Sequence, residues 1–221
     1  MQYQEIRGKA FEKIATIASA LGSPARLKII QILAQSPRSV EDLSNLAQES
    51  LANTSQHLQR LLRENLVVCE KKKTVRVYRI SNPIVLKIWD DLQDLSQEIE
   101  PLLQIAEEKI TNVDLTNSHN LESIFYSVNQ NESVLLDIRE PLEALATPIT
   151  SALKIPLAEL SNRLQELPKN KTIYIICRGR FCHFAGEAAK LLRDNGFTSY
   201  RLRESPFRIQ QFSKIAVETH Q

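Results

Sequence analysis

The feature that most constrains this chain is a change of periodicity near residue 111. Before it, apolar residues recur at spacings of three and four, the period of a helix face. After it, short β-branched and aliphatic runs alternate with helical stretches. One core does not serve both patterns, so two folding units are expected. The polar stretch TNVDLTNSH at 111–119 reads as the linker, with domains at 1–110 and 120–221.

In the first domain, Ile6, Ala10, Ile14, Ile17 and Leu21 mark a helix over 3–21, ended by Gly22. Ser23 and Pro24 open a second helix over 24–35, with Ser as cap and Pro in the first turn. Ser36-Pro37 breaks it, and Ser39 followed by Glu41 and Asp42 caps a short helix over 40–47. A further helix over 50–63 follows, with Asn65 suited to a left-handed end. Extended runs at 66–70 and 74–80, joined through three lysines, read as a hairpin. From Pro83 a long helix carries Ile84, Ile88, Trp89, Leu92, Leu95, Ile99 and Leu102 on one stripe near the coiled-coil period. Pro101 should interrupt it.

Charge is unevenly distributed. Residues 1–82 hold 13 Lys/Arg against 7 Asp/Glu, a net of +6. Residues 83–118 hold 2 against 8, a net of −6, and residues 119–221 hold 13 against 11, a net of +2. A basic first block suits a polyanionic partner. No apolar run approaches the length of a membrane span, and the acid-bearing start is not a secretory signal, so a cytoplasmic protein is expected. Three cysteines do not make a disulfide framework and read as thiols.

The segments ALGSPARLKIIQIL, TSQHLQRLLRENLV and VRVYRI resemble the ArsR family of small bacterial repressors over about residues 8–100. The resemblance implies an α+β winged helix-turn-helix domain that binds a double-stranded DNA operator. It also implies a homodimer built through helices 3–21 and 84–109. The residues agree with this. In helix 50–63, Leu58, Leu61 and Leu62 serve the core, leaving Asn53, Thr54, Gln56, His57 and Arg60 outside. Short and amide side chains near a helix N-terminus reach base edges in the major groove. Lys71, Lys72, Lys73 and Arg76 on the wing suit phosphates. The plainer reading is a solvated helix and a solvated turn. The family's metal-sensing patterns are missing: helix 40–47 has no Cys, and helix 83–110 has neither His nor Cys. Cys69, in a wing strand, reads as a half-buried filler.

In the second domain, helix 120–128, strand 133–138, helix 157–166, strand 172–176, helix 183–195, strand 198–202 and a helix near 207–217 alternate as in α/β folds. The segments LLDIREPLEA, IPLAELSNRLQELPKNKTIYIICRGRFC and FAGEAAKLLRDNGF resemble a single-domain rhodanese over 133–202. That resemblance implies an α/β rhodanese-like domain with a parallel central sheet. It places the sulfane-sulfur-accepting cysteine at Cys177, in the loop Cys177-Arg178-Gly179-Arg180-Phe181-Cys182. Between a strand end and a helix N-terminus, converging N–H groups stabilise a thiolate. Arg178 and Arg180 are expected to add two cations, making Cys177 the most reactive of the three thiols. Gly179 permits the tight turn. Cys182 is placed either to resolve a persulfide into a disulfide or simply to pack at the helix start. Asp137 and Arg139 read as a structural ion pair.

A phosphatase needs an Arg six positions after the cysteine, and His183 stands there. Zinc at Cys177, Cys182 and His183 lacks normal spacing, and no metal or cofactor is called for. The chain departs from the rhodanese pattern at Thr147-Pro148-Ile149-Thr150-Ser151 and at Arg203-Glu204-Ser205-Pro206, where the family carries a Gly pair. Arg180 stands where the family more often has Pro. Three functions remain open: a repressor sensing reactive sulfur or redox state, with a small donor such as thiosulfate or persulfide; a sulfurtransferase tethered to DNA; and a degenerate scaffold without turnover.

Overall fold

Ser39 and Asp42 close a capping box at the start of α3 (Val40–Ala47), each side chain taking up a backbone N–H of the other. Gln48, at φ 55, turns the chain, and Ser50 caps α4 (Leu51–Arg63) by accepting from the Asn53 amide. These devices define a helix-turn-helix through contacts within a few residues of chain. Preceding it are α1 (Gln2–Leu21), α2 (Pro24–Leu33) and the two-residue strand β1 (Arg38–Ser39). After α4, Asn65 takes up the left-handed conformation, φ 56. The antiparallel hairpin β2 (Val67–Lys72) and β3 (Val75–Ile80) follows, and β1 joins β3 to give a sheet of order β1-β3-β2. Ile29, Ile30, Leu43, Leu58, Leu61 and Val67 form the core beneath it. This is the winged helix-turn-helix the sequence led us to expect.

The computed structural model describes residues 2–111 and 120–218. They divide into two compact units, Met1–Trp89 and Asp90–Gln221. Apart from Thr111, the expected linker lies outside the described residues. The long helix from Pro83 is interrupted at the anticipated proline, giving α5 (Pro83–Ile99) and α6 (Pro101–Thr111). By sequence α5 belongs to both units. Val85 and Trp89 join the first core, where the Trp89 indole N–H donates to Gln31 Oε1 at 2.6 Å. Its residues from Asp90 onward belong to the second unit.

The second unit continues with α7 (Leu121–Asn129), β4 (Ser133–Asp137), α8 (Pro141–Ala146), β5 (Ala152–Lys154), α9 (Leu157–Leu160), β6 (Thr172–Ile176), α10 (His183–Asp194), β7 (Ser199–Arg201) and α11 (Pro206–Glu218). The four strands are all parallel, in the order β5-β4-β6-β7. Both faces are covered, which is why β4 and β6 read as unbroken apolar runs. Leu136, Ile173 and Ile175 pack on one side with Ala185, Ala188 and Leu192 of α10. Leu135, Tyr174 and Ile176 pack on the other with Ile124 of α7 and Ile209 of α11. Helix α8 and strand β5 lie in what the sequence offered only as a loop. The expected helix 157–166 is split into α9 and a 3-10 turn at Leu164–Glu166. Both differences involve elements of six residues or fewer, too short to show a periodicity.

At the end of β4 the Arg139 guanidinium meets the Asp137 carboxylate through Nε to Oδ1 at 2.9 Å and Nη2 to Oδ2 at 2.7 Å, both side chains fully buried. Arg139 also donates to the carbonyls of Glu143 and Thr147, closing the C-terminal end of α8. This is the structural ion pair anticipated from the sequence. Replacing Arg139 with Met leaves a buried carboxylate unpaired, so urea unfolding of Arg139→Met should show a loss of about 3–5 kcal/mol in the unfolding free energy of the second unit.

Candidate functional site

Helix α4 presents Asn53 and Gln56 to solvent, with His57 and Arg60 half-buried. Thr54, expected outward, is instead fully buried. It lies four residues before Leu58 and seven before Leu61, which places it on the core stripe of the helix. Thr54 is therefore removed from the set able to reach a base. On the hairpin, Lys71, Lys73 and Arg76 are exposed, and the Lys72 side chain lies outside the described residues. Cys69 is exposed rather than half-buried. Burial along β2 fades from Val67 through Val68, because the wing projects past the core and β2 is an edge strand.

In the second unit, β6 delivers Cys177 to the carboxyl end of the parallel sheet, and α10 begins at His183, with Cys182 in the cap position. Ligand sites in parallel α/β sheets form at this end. The loop is tight. The Cys182 amide donates to the Gly179 carbonyl at 3.1 Å, and Gly179 sits at φ 98 with the Ser205 Cα 3.4 Å from where a Cβ would stand. Only glycine fits there without strain. The sulfurs of Cys177 and Cys182 meet across the loop as a disulfide, with Cα atoms 6.6 Å apart, within the range a disulfide spans. Both cysteines are buried, at 4% and 7% exposure, while Phe181 is partly exposed. Accessibility thus favours Cys69 over Cys177, the reverse of the order of reactivity expected from charge alone.

The two loop arginines are not the free cations anticipated. Arg178 Nε donates to both oxygens of the buried Glu143 carboxylate at 3.0 and 2.9 Å, and its guanidinium lies 5.2 Å from the Phe184 ring centroid. Arg180 turns to α5 and α6, reaching Asp94 Oδ1 at 2.5 Å, Glu107 Oε2 at 3.3 Å and the Gln97 side-chain oxygen. Both guanidinium groups are thus engaged by carboxylates, and Cys177 lies between the end of β6 and the start of α10.

Glu107 is the centre of this arrangement, all of it within the second unit. The fully buried Arg201, at the end of β7, donates from Nη2 to Glu107 Oε1 at 2.9 Å and from Nη1 to the Arg180 carbonyl at 3.1 Å. Arg203 donates to Glu107 Oε1 and Oε2, each at 2.8 Å. Burial raises the Glu107 carboxyl, but the hydrogen bond and charge of Arg203, with Gln97 and Arg180, outweigh it and hold it below its ordinary value. Burial lowers Arg201 to about 10, against the attraction of Glu107. Nearby, the Ser205 hydroxyl donates to Asp90 at 2.6 Å and accepts from the Arg208 amide, capping α11. Arg208 Nη2 meets Asp94 Oδ2 at 2.7 Å. Burial pushes the Asp90 carboxyl up despite Ser205 and Arg208.

Sequence reasoning placed Arg180 beside the cysteine as a cation, noted Arg203-Glu204-Ser205-Pro206 only as a departure from a pattern, and singled out none of Asp90, Asp94, Gln97 and Glu107. The available signal was charge complementarity between the −6 block at 83–118 and the arginines at 178, 180, 201, 203 and 208. Among the described residues, no group of three or more His, Cys, Asp or Glu is placed to hold a metal. No described helix is long and apolar enough to cross a membrane.

A winged helix-turn-helix unit and a four-stranded parallel unit with a cysteine loop define a regulator carrying a rhodanese-like domain. The sequence profile of the bacterial regulatory protein, arsR family, matches residues 23–68, and that of the rhodanese-like domain matches residues 125–205. The HTH-type transcriptional regulator Rv0324 of Mycobacterium tuberculosis is 30% identical over 199 residues, which cover 86% of this chain and 84% of that protein. A sulfurtransferase of Allochromatium vinosum is 35% identical over 65 residues, 29% of this chain and 61% of that protein. The solution structure of the homodimeric winged helix-turn-helix DNA-binding domain of Mb0332 from Mycobacterium bovis is 28% identical, with a TM-score of 0.40, covering 42% of this chain and 85% of that one. The chain belongs to the ArsR family of transcriptional regulators, in a form that carries a rhodanese-like domain.

The lowered Glu107 value has a consequence for acid stability. A carboxyl whose folded value lies below its ordinary 4.5 contributes stability above that value, and the contribution is lost as pH falls through the lower folded value. Asp90, raised, acts in the opposite sense. Thermal unfolding from pH 7 to pH 3 should therefore show a shallower acid-side fall in Glu107→Gln than in the parent. Parallel curves would remove Glu107 from the acid limb.

Proposed function

We propose that this regulator is a repressor that binds a double-stranded DNA operator as a homodimer in the cytoplasm and senses small sulfane-sulfur donors, such as thiosulfate or a persulfide, at Cys177. The observation that carries the sensing half is the meeting of the Cys177 and Cys182 sulfurs across one tight loop. In the proposed chemistry the Cys177 thiolate attacks the outer sulfur of thiosulfate. Sulfite leaves with the electron pair of the broken S–S bond, and Cys177 holds a persulfide. Cys182 then loses its proton to solvent and attacks Cys177 Sγ. The Cys177–Cys182 bond forms, the persulfide bond breaks, and its terminal sulfur departs as hydrosulfide. Two thiols have lost two electrons and the donor's sulfane sulfur has gained them, so no other oxidant is needed. Such a loop stops after one round until a reductant reopens it, which suits a sensor better than a turnover enzyme.

The DNA-binding half rests on the exposed Asn53 and Gln56 near the start of α4, with His57 and Arg60 beside them, and on the exposed Lys71, Lys73 and Arg76 of the wing. Dimerisation is supported by apolar side chains that the single chain leaves uncovered: Ile6 and Ile14 on α1, Ile84 on α5, and Ile99 and Leu102 flanking Pro101. Paired recognition helices would then address half-sites roughly 34 Å apart.

On a duplex selected from a random library, Gln56→Ala or Asn53→Ala should cost about 1–3 kcal/mol and relax specificity. Lys71→Ala or Arg76→Ala should weaken binding to every sequence and reduce the salt slope by about 1. Mutants of both kinds losing only non-specific affinity would overturn the assignment of α4. For the sensor, gel-shift titration of a Cys69→Ser chain should give weaker operator binding after thiosulfate treatment, and the further change Cys177→Ser should abolish the response. Unaltered affinity on confirmed Cys177 modification would leave a tethered sulfurtransferase or a scaffold.

A further inference from the structure

We infer that Arg180 links the covalent state of the cysteine loop to helices α5 and α6, so that closing the Cys177–Cys182 ring is read out through Asp94, Gln97 and Glu107. The inference rests on the sensing reading above and supplies its route. Arg180 lies inside the six-residue ring that the disulfide closes, and its position therefore depends on whether that ring is open or shut. Its side chain leaves the loop for Asp94, Gln97 and Glu107, while its own carbonyl accepts from Arg201. Both ends of the residue are thus held by one network, and that network reaches two helices.

Those helices are not passive. Helix α5 starts in the first core, through Val85 and the Trp89–Gln31 hydrogen bond, and its next residue, Asp90, already accepts from Ser205 of the second unit. Asp94 and Gln97 thus lie on the same helix whose first turns carry Val85 and Trp89. The apolar residues proposed for the dimer lie on the same α5–α6 segment. Three of the residues that depart from the usual rhodanese pattern, Arg180, Arg203 and Ser205, bind α5 or α6. The closed ring holds Arg180 against Asp94 and Glu107. The open ring, whether it carries two thiols or a Cys177 persulfide, removes that constraint, and the two states differ in how firmly α5 and α6 are held. Operator affinity should differ at least tenfold between them, with the closed state the weaker binder.

The test uses the full-length Cys69→Ser chain, fully reduced or closed with thiosulfate, with ring closure verified by intact mass. Operator affinity is measured by fluorescence anisotropy on the duplex selected from a random library. Asp94→Asn and Glu107→Gln should close the ring as the parent does, while the tenfold difference falls below about threefold. Arg208→Gln, which cuts the other arginine contact of Asp94 and spares Arg180, should keep the full difference. If both variants close the ring and keep the full difference, the Arg180 link is overturned while sensing stands. Loss in Arg208→Gln together with Asp94→Asn, but not in Glu107→Gln, would assign the route to Arg208 and overturn it equally. If the parent neither closes its ring nor changes affinity, the sensing reading falls and the link with it. Circular dichroism checks folding, and should Glu107→Gln fail to fold, the partly exposed Asp94 gives a variant that decides together with Arg208→Gln.

Discussion

Glu107 is the group on which the second unit's organisation turns. Arg201 is fully buried at the end of a central-sheet strand, and a buried guanidinium is tolerable only beside a carboxylate with well-made hydrogen bonds. That carboxylate comes from α6, 94 positions earlier in the chain. Arg203 and Arg180 complete its coordination, so an α-helical segment outside the rhodanese-like fold is bound to it by charge rather than by apolar area. Moving α6 away would leave Arg201 buried without this partner. The segment is therefore a fixed part of the unit that holds the cysteine loop.

The same arrangement changes the meaning of the cysteine loop. Its arginines face carboxylates, Arg178 toward Glu143 and Arg180 toward Glu107 and Asp94, so the loop's charge is spent on position. The side chains of the loop thus hold its shape against carboxylates of α8, α5 and α6.

In the DNA-binding unit the interactions are of another kind. Caps at Ser39 and Ser50, left-handed residues at Gln48 and Asn65, and short turns set the helix-turn-helix from within, and the core of Leu43, Leu58 and Leu61 seals it. Helix α5 meets both regimes, packing its first turns by apolar contact and binding its later ones through carboxylates.

Much of this was legible in the sequence because it is local. Cap residues, the break at Pro101, the apolar runs of β4 and β6 and the position of Cys177 all depend on neighbours within a few residues, and the pattern of such neighbours is the sequence itself. The outward set on α4 was legible too, except at Thr54, where a polar residue occupies a core position that helix phase alone would have revealed. Cys69 was misjudged because burial on a hairpin depends on how far it projects beyond the core. The joining of Arg180, Arg201 and Arg203 to Glu107 was decided by tertiary structure alone. Those residues are separated by 73 to 96 positions, and which charges meet depends on where a sheet end and a helix come to rest. The longer elements follow from local pattern, whereas the short α8 and β5 and the pairing of buried Arg201 with Glu107 were decided by the tertiary structure, because a buried guanidinium needs a carboxylate that only long-range folding brings to it.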